Sequence, residues 1–215
     1  SIKRHPYNAD RLGQKGAASA GCGGIVKMKI AFTGKGGVGK TTLAAILTHN
    51  LANNGEKVLA VDCDPDSNLA EALGFEDAAK ITPVCKMKDL IYDRMEIKDK
   101  NPLLYKLNPR IDDIPDAFKK RMGNISLLVM GTVEKSGGGC VCPESIFLKN
   151  LLNRIMLQKG ENIVLDMEAG IEHLGRQTAE VCDYFIVVVE HSLKSVENAI
   201  KKEKIARKPS ITETY

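Results

Sequence analysis

The stretch Gly34-Lys35-Gly36-Gly37-Val38-Gly39-Lys40-Thr41-Thr42 limits what this chain can fold into more than any other. It satisfies G-x-x-x-x-G-K-[ST] from Gly34 through Gly39 and Lys40 to Thr41. Glycines let a backbone wrap closely enough for successive N–H groups to face phosphate oxygens. The Lys40 ammonium adds positive charge at the β- and γ-phosphates, and the Thr41 hydroxyl can ligate Mg²⁺. Lys29-Ile30-Ala31-Phe32-Thr33 before the loop reads as a short buried strand. Leu43, Ile46, Leu47 and Leu51 after it recur at helical spacing, which predicts a helix with these residues on its inner face. Strand, loop and helix together put an anion at a helix N-terminus, where the dipole favours it. ATP with Mg²⁺ is the expected ligand pair, held by the run Gly34 to Thr42.

The rest of the chain alternates strands and helices, the pattern of a mostly parallel sheet flanked by helices in an α/β fold. Val58 to Asp62 is the second strand, and Asp66 or Ser67 is placed to cap a helix carrying Leu69, Ala70 and Leu73. Residues 86–95 suggest a short amphipathic helix. Residues 96–123 are charged, carry Pro102, Pro109 and Pro115, and read as irregular surface structure or a partner-facing insertion. Strands are expected at Ile125 to Met130, Asn162 to Asp166 and Tyr184 to Val189, the last of them buried. Pro143 opens a helix with Ile146, Phe147, Leu151 and Ile155 on its apolar face, and Ser192 can cap a final one.

Charge is unevenly placed. The formal total is +4, but residues 1–27 carry +4 and residues 201–215 carry +3, leaving a body of −3. A mildly acidic body argues against a nucleic-acid partner. No run of about 20 apolar residues is present, so no membrane span is expected. Residues 1–27 include Ala17-Ala18-Ser19-Ala20-Gly21-Cys22-Gly23-Gly24, small-residue sequence without the apolar core of a secretory signal. They read as a disordered or non-native extension ahead of a natural start at Met28, with an ATPase domain over 28–208 and a tail over 209–215. Six cysteines beside a phosphate loop, with no export signal, point to a reducing, cytoplasmic setting, where clustered thiols more often bind metal than form disulfides.

Cys140-Val141-Cys142 is such a cluster. Two thiols two residues apart can face one side of an extended segment. They supply half of a tetrahedral or square-planar shell, and no other cysteine or histidine pair obviously completes it. The same pair from a second copy about a two-fold axis does so most simply. A redox couple or two unrelated thiols is the other reading. Asp64 and Asp166 lie at the C-terminal ends of two apolar strands, the end of an open α/β sheet where ligands sit.

The early Lys35 makes the loop resemble the deviant Walker A loop of the MinD/ParA/nitrogenase-iron-protein class of dimeric ATPases. That resemblance implies a Lys35 that crosses a dimer interface to the partner's nucleotide, as an arginine finger does. Asp166-Met167-Glu168-Ala169-Gly170 resembles the class's second switch, which implies an Asp166 acting on Mg²⁺ and a Gly170 sensing the γ-phosphate. Asp64 matches the first-switch aspartate that positions or activates the attacking water. Lys-Gly-Gly-Val-Gly-Lys-Thr, Val-Asp-Cys-Asp-Pro-Asp-Ser-Asn-Leu, Gly-Gly-Gly-Cys-Val-Cys-Pro and Asp-Met-Glu-Ala-Gly-Ile-Glu-His-Leu-Gly-Arg occur in that order. Over residues 28–200 this is similar to the CooC family, accessory ATPases for nickel insertion into carbon monoxide dehydrogenase. The Cys-x-Cys and Glu172 to Arg176 narrow the match to that family; the extra N-terminus, Gln177 and a short C-terminal end depart from it. The resemblance implies an ATP-hydrolysing homodimer in which Cys140 and Cys142 of both subunits hold one nickel or zinc ion. It also implies the apo-enzyme of carbon monoxide dehydrogenase as partner. The resembling families continue beyond the last helix, so a C-terminally truncated sheet is expected. Three other readings stay open: an iron–sulfur electron donor, a positioning switch, and an inactive truncated fragment. A positioning switch of the MinD type would need an amphipathic membrane helix, which Lys201 to Tyr215 lacks.

Overall fold

The computed structural model describes residues 27–97, 105–133, 142–158, 160–168 and 182–190. Within them six strands form one sheet: β1 (Lys29–Gly34), β2 (Val58–Cys63), β3 (Lys120–Met122), β4 (Ile125–Val129), β5 (Asn162–Glu168) and β6 (Tyr184–Val188). Their order is β3-β4-β2-β5-β1-β6, and every pairing is parallel except β3 with β4. The helices are α1 (Lys40–Asn53), α2 (Leu69–Ala72), α3 (Lys88–Arg94), α4 (Ile114–Phe118) and α5 (Pro143–Leu157). Among the described residues no helix is long and apolar enough to cross a membrane.

The central strands are continuous apolar runs because both of their faces are covered. Alternation splits their side chains into two cores. Ile30, Phe32, Val58, Ala60, Leu127 and Val164 pack with α1 and α2. Ala31, Leu59, Val61, Leu128, Ile163 and Leu165 pack with α3 and α5. The crossover from β1 through α1 to β2 passes over β5, so the phosphate loop and the ends of β2 and β5 meet at one edge.

Four details differ from the expectations. The inner face of α1 is Ala44, Ala45, Thr48 and Leu51, while Leu43 and Ile46 are 42% and 59% exposed. Small residues let the helix lie close on the sheet, and the larger ones move to its rim. The irregular stretch contains α4 and the edge strand β3, joined to β4 by the two-residue turn Gly123-Asn124, with Gly123 at φ +56°. β6 is half exposed, with Tyr184 and Ile186 open to solvent, because it pairs on one side only among the described residues. Neither Asp66 nor Ser67 caps α2: Asn68 is the N-cap residue and makes no side-chain cap bond.

Candidate functional site

The loop from Gly34 to Thr42 leaves β1 and enters α1, and its glycines have separable reasons. A methyl group on Gly34 would lie 2.2 Å from the Val188 carbonyl oxygen, so this glycine lets β6 pass the strand end. Around Gly36, Gly37 and Gly39 an added methyl meets nothing among the described residues, so packing does not call for these glycines. Gly37 and Gly39 hold φ of +80° and +92°, backbone that residues with a Cβ avoid. Gly39 is the N-cap residue of α1. The helix's first turn carries no acidic side chain, which suits an anion at its N-terminus.

Lys40 is buried, and its ammonium lies 3.6 Å from Asp64 Oδ2 and 3.4 Å from the carbonyl oxygen of Lys35. Lys35 points outward at 77% exposure, and among the described residues its ion-pair partner is Glu190, loosely, at 3.9 Å. Val38 is half-buried and Thr42 exposed.

Asp62 and Asp166 face each other as register partners on β2 and β5, both fully buried. Burial lifts the Asp62 carboxyl to about 7, against the opposing pull of N–H bonds from Asp64 and Leu69. Burial also raises Asp166, while the Thr41 hydroxyl and Lys40 oppose the rise. Thr41 stands close enough for that influence, yet among the described residues no hydrogen bond of proper geometry reaches either Asp166 oxygen. Asp64 pairs with the buried ammonium, Asp166 feels its charge, and the two buried Asp166 oxygens have no hydrogen-bond partner among the described residues. Those orphaned oxygens beside the Thr41 hydroxyl fit a divalent cation. Among the described residues no group of three His, Cys, Asp or Glu is arranged as a complete metal cage. Mg²⁺ does not need one, since it is usually held by one or two side chains plus water and phosphate.

The structure therefore brings Lys40, Thr41, Asp64 and Asp166 together beside the loop. It adds Asp62, which sequence reasoning passed over because nothing but its burial sets it apart from Asp64. Cys142 belongs to another connection, that between β4 and α5, where it is the N-cap residue of α5. Its sulfur lies 3.0 Å from the Ser145 hydroxyl, and the neighbouring Glu144 accepts a hydrogen bond from Tyr92 at 3.1 Å. Cys140, Gly170 and Ser192 lie outside the described residues.

A phosphate loop at the C-terminal edge of a mostly parallel sheet, with aspartates from two neighbouring strands beside it, defines a phosphate-loop nucleotide-binding protein. The family model for the CobQ/CobB/MinD/ParA nucleotide-binding domain matches residues 29–208, and the chain belongs to that family of ATPases. Within it the chain is of the CooC type. It is 44% identical to the carbon monoxide dehydrogenase accessory protein CooC of Rhodospirillum rubrum over 182 residues, 84% of this chain and 69% of that one. It is 47% identical to an uncharacterized ATP-binding protein of Methanocaldococcus jannaschii over 180 residues, 83% of this chain and 69% of that one. Among solved structures, cobyrinic acid a,c-diamide synthase from Mycobacterium smegmatis, with bound ATP analog and magnesium, aligns at a TM-score of 0.54. That alignment covers 84% of this chain and 67% of the other at 20% identity, a likeness of fold alone.

Proposed function

We propose that this chain is an accessory ATPase of carbon monoxide dehydrogenase that binds nickel between two copies of itself and uses ATP to control its delivery. The observation that carries the ATPase half is the pair of buried Lys40 with half-buried Asp64 at 3.6 Å. ATP phosphates compete with Asp64 for the Lys40 ammonium. When they win, Asp64 is freed to accept a hydrogen bond from the attacking water, which a carboxylate can do without being a strong base. The loop from Gly34 to Thr42 cradles the phosphates, and Gly170 senses the terminal one. Mg²⁺, when bound, neutralises charge on the phosphates, and Thr41 and Asp166 are the residues that would hold it. Lys35 reaches the nucleotide of the second copy. Its surface pair with Glu190 is of the exposed kind that holds a side chain weakly, so it is free to turn.

Nickel is the cargo, and zinc is also within reach of thiolates. Cys140 and Cys142 from each copy supply four sulfurs to one ion. Support comes from the 44% identity to CooC and from the seat of Cys142 at the first turn of α5, beside Ser145. The test is equilibrium dialysis of nickel against Cys140→Ser, Cys142→Ser and the unmodified chain, with ATP-analogue binding measured on the same samples. Loss of nickel with nucleotide binding intact is the expected result. Nickel retained in full by both substituted chains would overturn the thiolate site.

A further inference from the structure

Asp62 has no part in the reaction just described, yet it is fully buried at the end of β2 beside it. Oδ1 of its carboxylate accepts the N–H of Asp64 at 3.0 Å, and Oδ2 accepts the N–H of Leu69 at 3.0 Å. Its carbonyl oxygen accepts the N–H groups of Met130 at 2.8 Å and Gly131 at 3.2 Å. One residue thus ties together β2, the loop over 64–68, the first turn of α2 and the chain leaving β4. The cap that Asn68 does not supply to α2 comes from seven residues upstream. Within the loop, Ser67 turns at φ +45° and donates to the Asp64 carbonyl from its N–H at 3.2 Å and its hydroxyl at 3.0 Å. Asp66 donates its N–H to Asp64 Oδ1 at 3.1 Å, leaving Oδ2 toward Lys40.

We infer that Asp62 is a positioning residue for the hydrolysis reaction: its carboxylate closes the 64–68 loop so that Asp64 is presented to the phosphate loop. This rests on the reading of Asp64 as the water-positioning group. A carboxylate suits the task because two oxygens diverge toward two N–H donors. Asparagine offers one acceptor and turns an NH₂ toward the other donor. Packing alone would favour an apolar side chain here, since a buried acid is costly.

The experiment compares Asp62→Asn, Asp64→Asn and the unmodified full chain. It measures steady-state turnover, affinity for a non-hydrolysable ATP analogue, and amide hydrogen exchange. Asp62→Asn should lower kcat by roughly tenfold or more while KM and analogue affinity stay within about twofold, the split expected of a group that acts only in the reaction. Its Asp64 and Leu69 amides should lose protection. Full turnover in a folded Asp62→Asn chain, with Asp64→Asn inactive, would overturn the positioning role alone. Full turnover in Asp64→Asn would overturn the reading beneath it. In the unmodified chain the Asp64 and Leu69 amides should exchange as slowly as those of the central strands. Exchange at the rate of exposed loop amides would refute the brace whether or not the variant folds.

Discussion

Lys40 and Lys35 carry the same charge five residues apart, but one is buried and paired and the other faces solvent. Their losses should differ accordingly. Lys40→Ala removes a desolvated charge and should weaken ATP binding by about 2–5 kcal/mol. That is a factor from about 30 to several thousand in Kd. Lys35→Ala should leave Kd close to normal and cut turnover on the order of a thousandfold, the scale of an arginine finger. Titration calorimetry beside a phosphate-release assay separates the two, and equal losses of affinity would rule out action in trans. Asp64→Asn should accumulate an ATP-bound dimer. It should also bind the nucleotide about three- to tenfold tighter, because Lys40 no longer has a carboxylate to leave. Asp62 adds a pH effect. Its folded-state value of about 7 stands above the ordinary 3.8, so between those values the folded chain holds a proton that the unfolded chain has lost. Stability from this group is therefore present near pH 4 and declines as pH rises to about 7. The nucleotide-free chain should melt at a lower temperature at pH 7 than at pH 5. Asp62→Asn should reduce that slope, and Asp166, raised for the same reason, acts in the same direction. A melting temperature that climbs from pH 5 to 7 would contradict this.

At the level of elements, Gly34 and Gly36 give a paired test. Gly34→Ala places a methyl group against the Val188 carbonyl and should cost about 1–3 kcal/mol, seen as a lower urea midpoint. Gly36→Ala meets nothing and should leave the midpoint alone, while the added methyl group on the phosphate loop should weaken ATP binding. A change of midpoint in Gly36→Ala but not in Gly34→Ala would reverse the assignment. The same contrast shows what was legible in the sequence. β1, β2, β4, β5 and the start of α5 could be read because buried parallel strands are apolar runs and Pro143 marks a helix start. β3 could not be read from its side chains. Lys120-Arg121-Met122 has no apolar face, and its place comes from backbone pairing with β4. The one available signal was the two-residue turn Gly123-Asn124. The inner face of α1 was misread because size was taken for burial, whereas Ala44 and Ala45 are buried by proximity to the sheet. Lys40, Thr41, Asp64 and Asp166 were visible through motif spacing and strand ends. Asp62 was not, since its distinction is two N–H partners that appear only once the chain has folded.

For the whole molecule, the central claim is that metal, nucleotide and association form one linked equilibrium. In the proposed function each copy offers two of four thiols, and each Lys35 serves the nucleotide of a second copy. A four-thiolate site can be worth on the order of 10 kcal/mol at neutral pH, and even a fraction of that would drive a weak dimer together. Linkage would make the effect reciprocal: under the proposed function ATP should tighten the metal site and hydrolysis should loosen it. Native mass spectrometry of the full chain, titrated with nickel and a non-hydrolysable ATP analogue, reads chain number, metal and nucleotide in one spectrum. The expected species is two chains with one nickel and two nucleotides, favoured by either ligand and lost in Cys140→Ser or Cys142→Ser. One nickel per single chain, or a dimer whose abundance ignores nickel, would contradict the account.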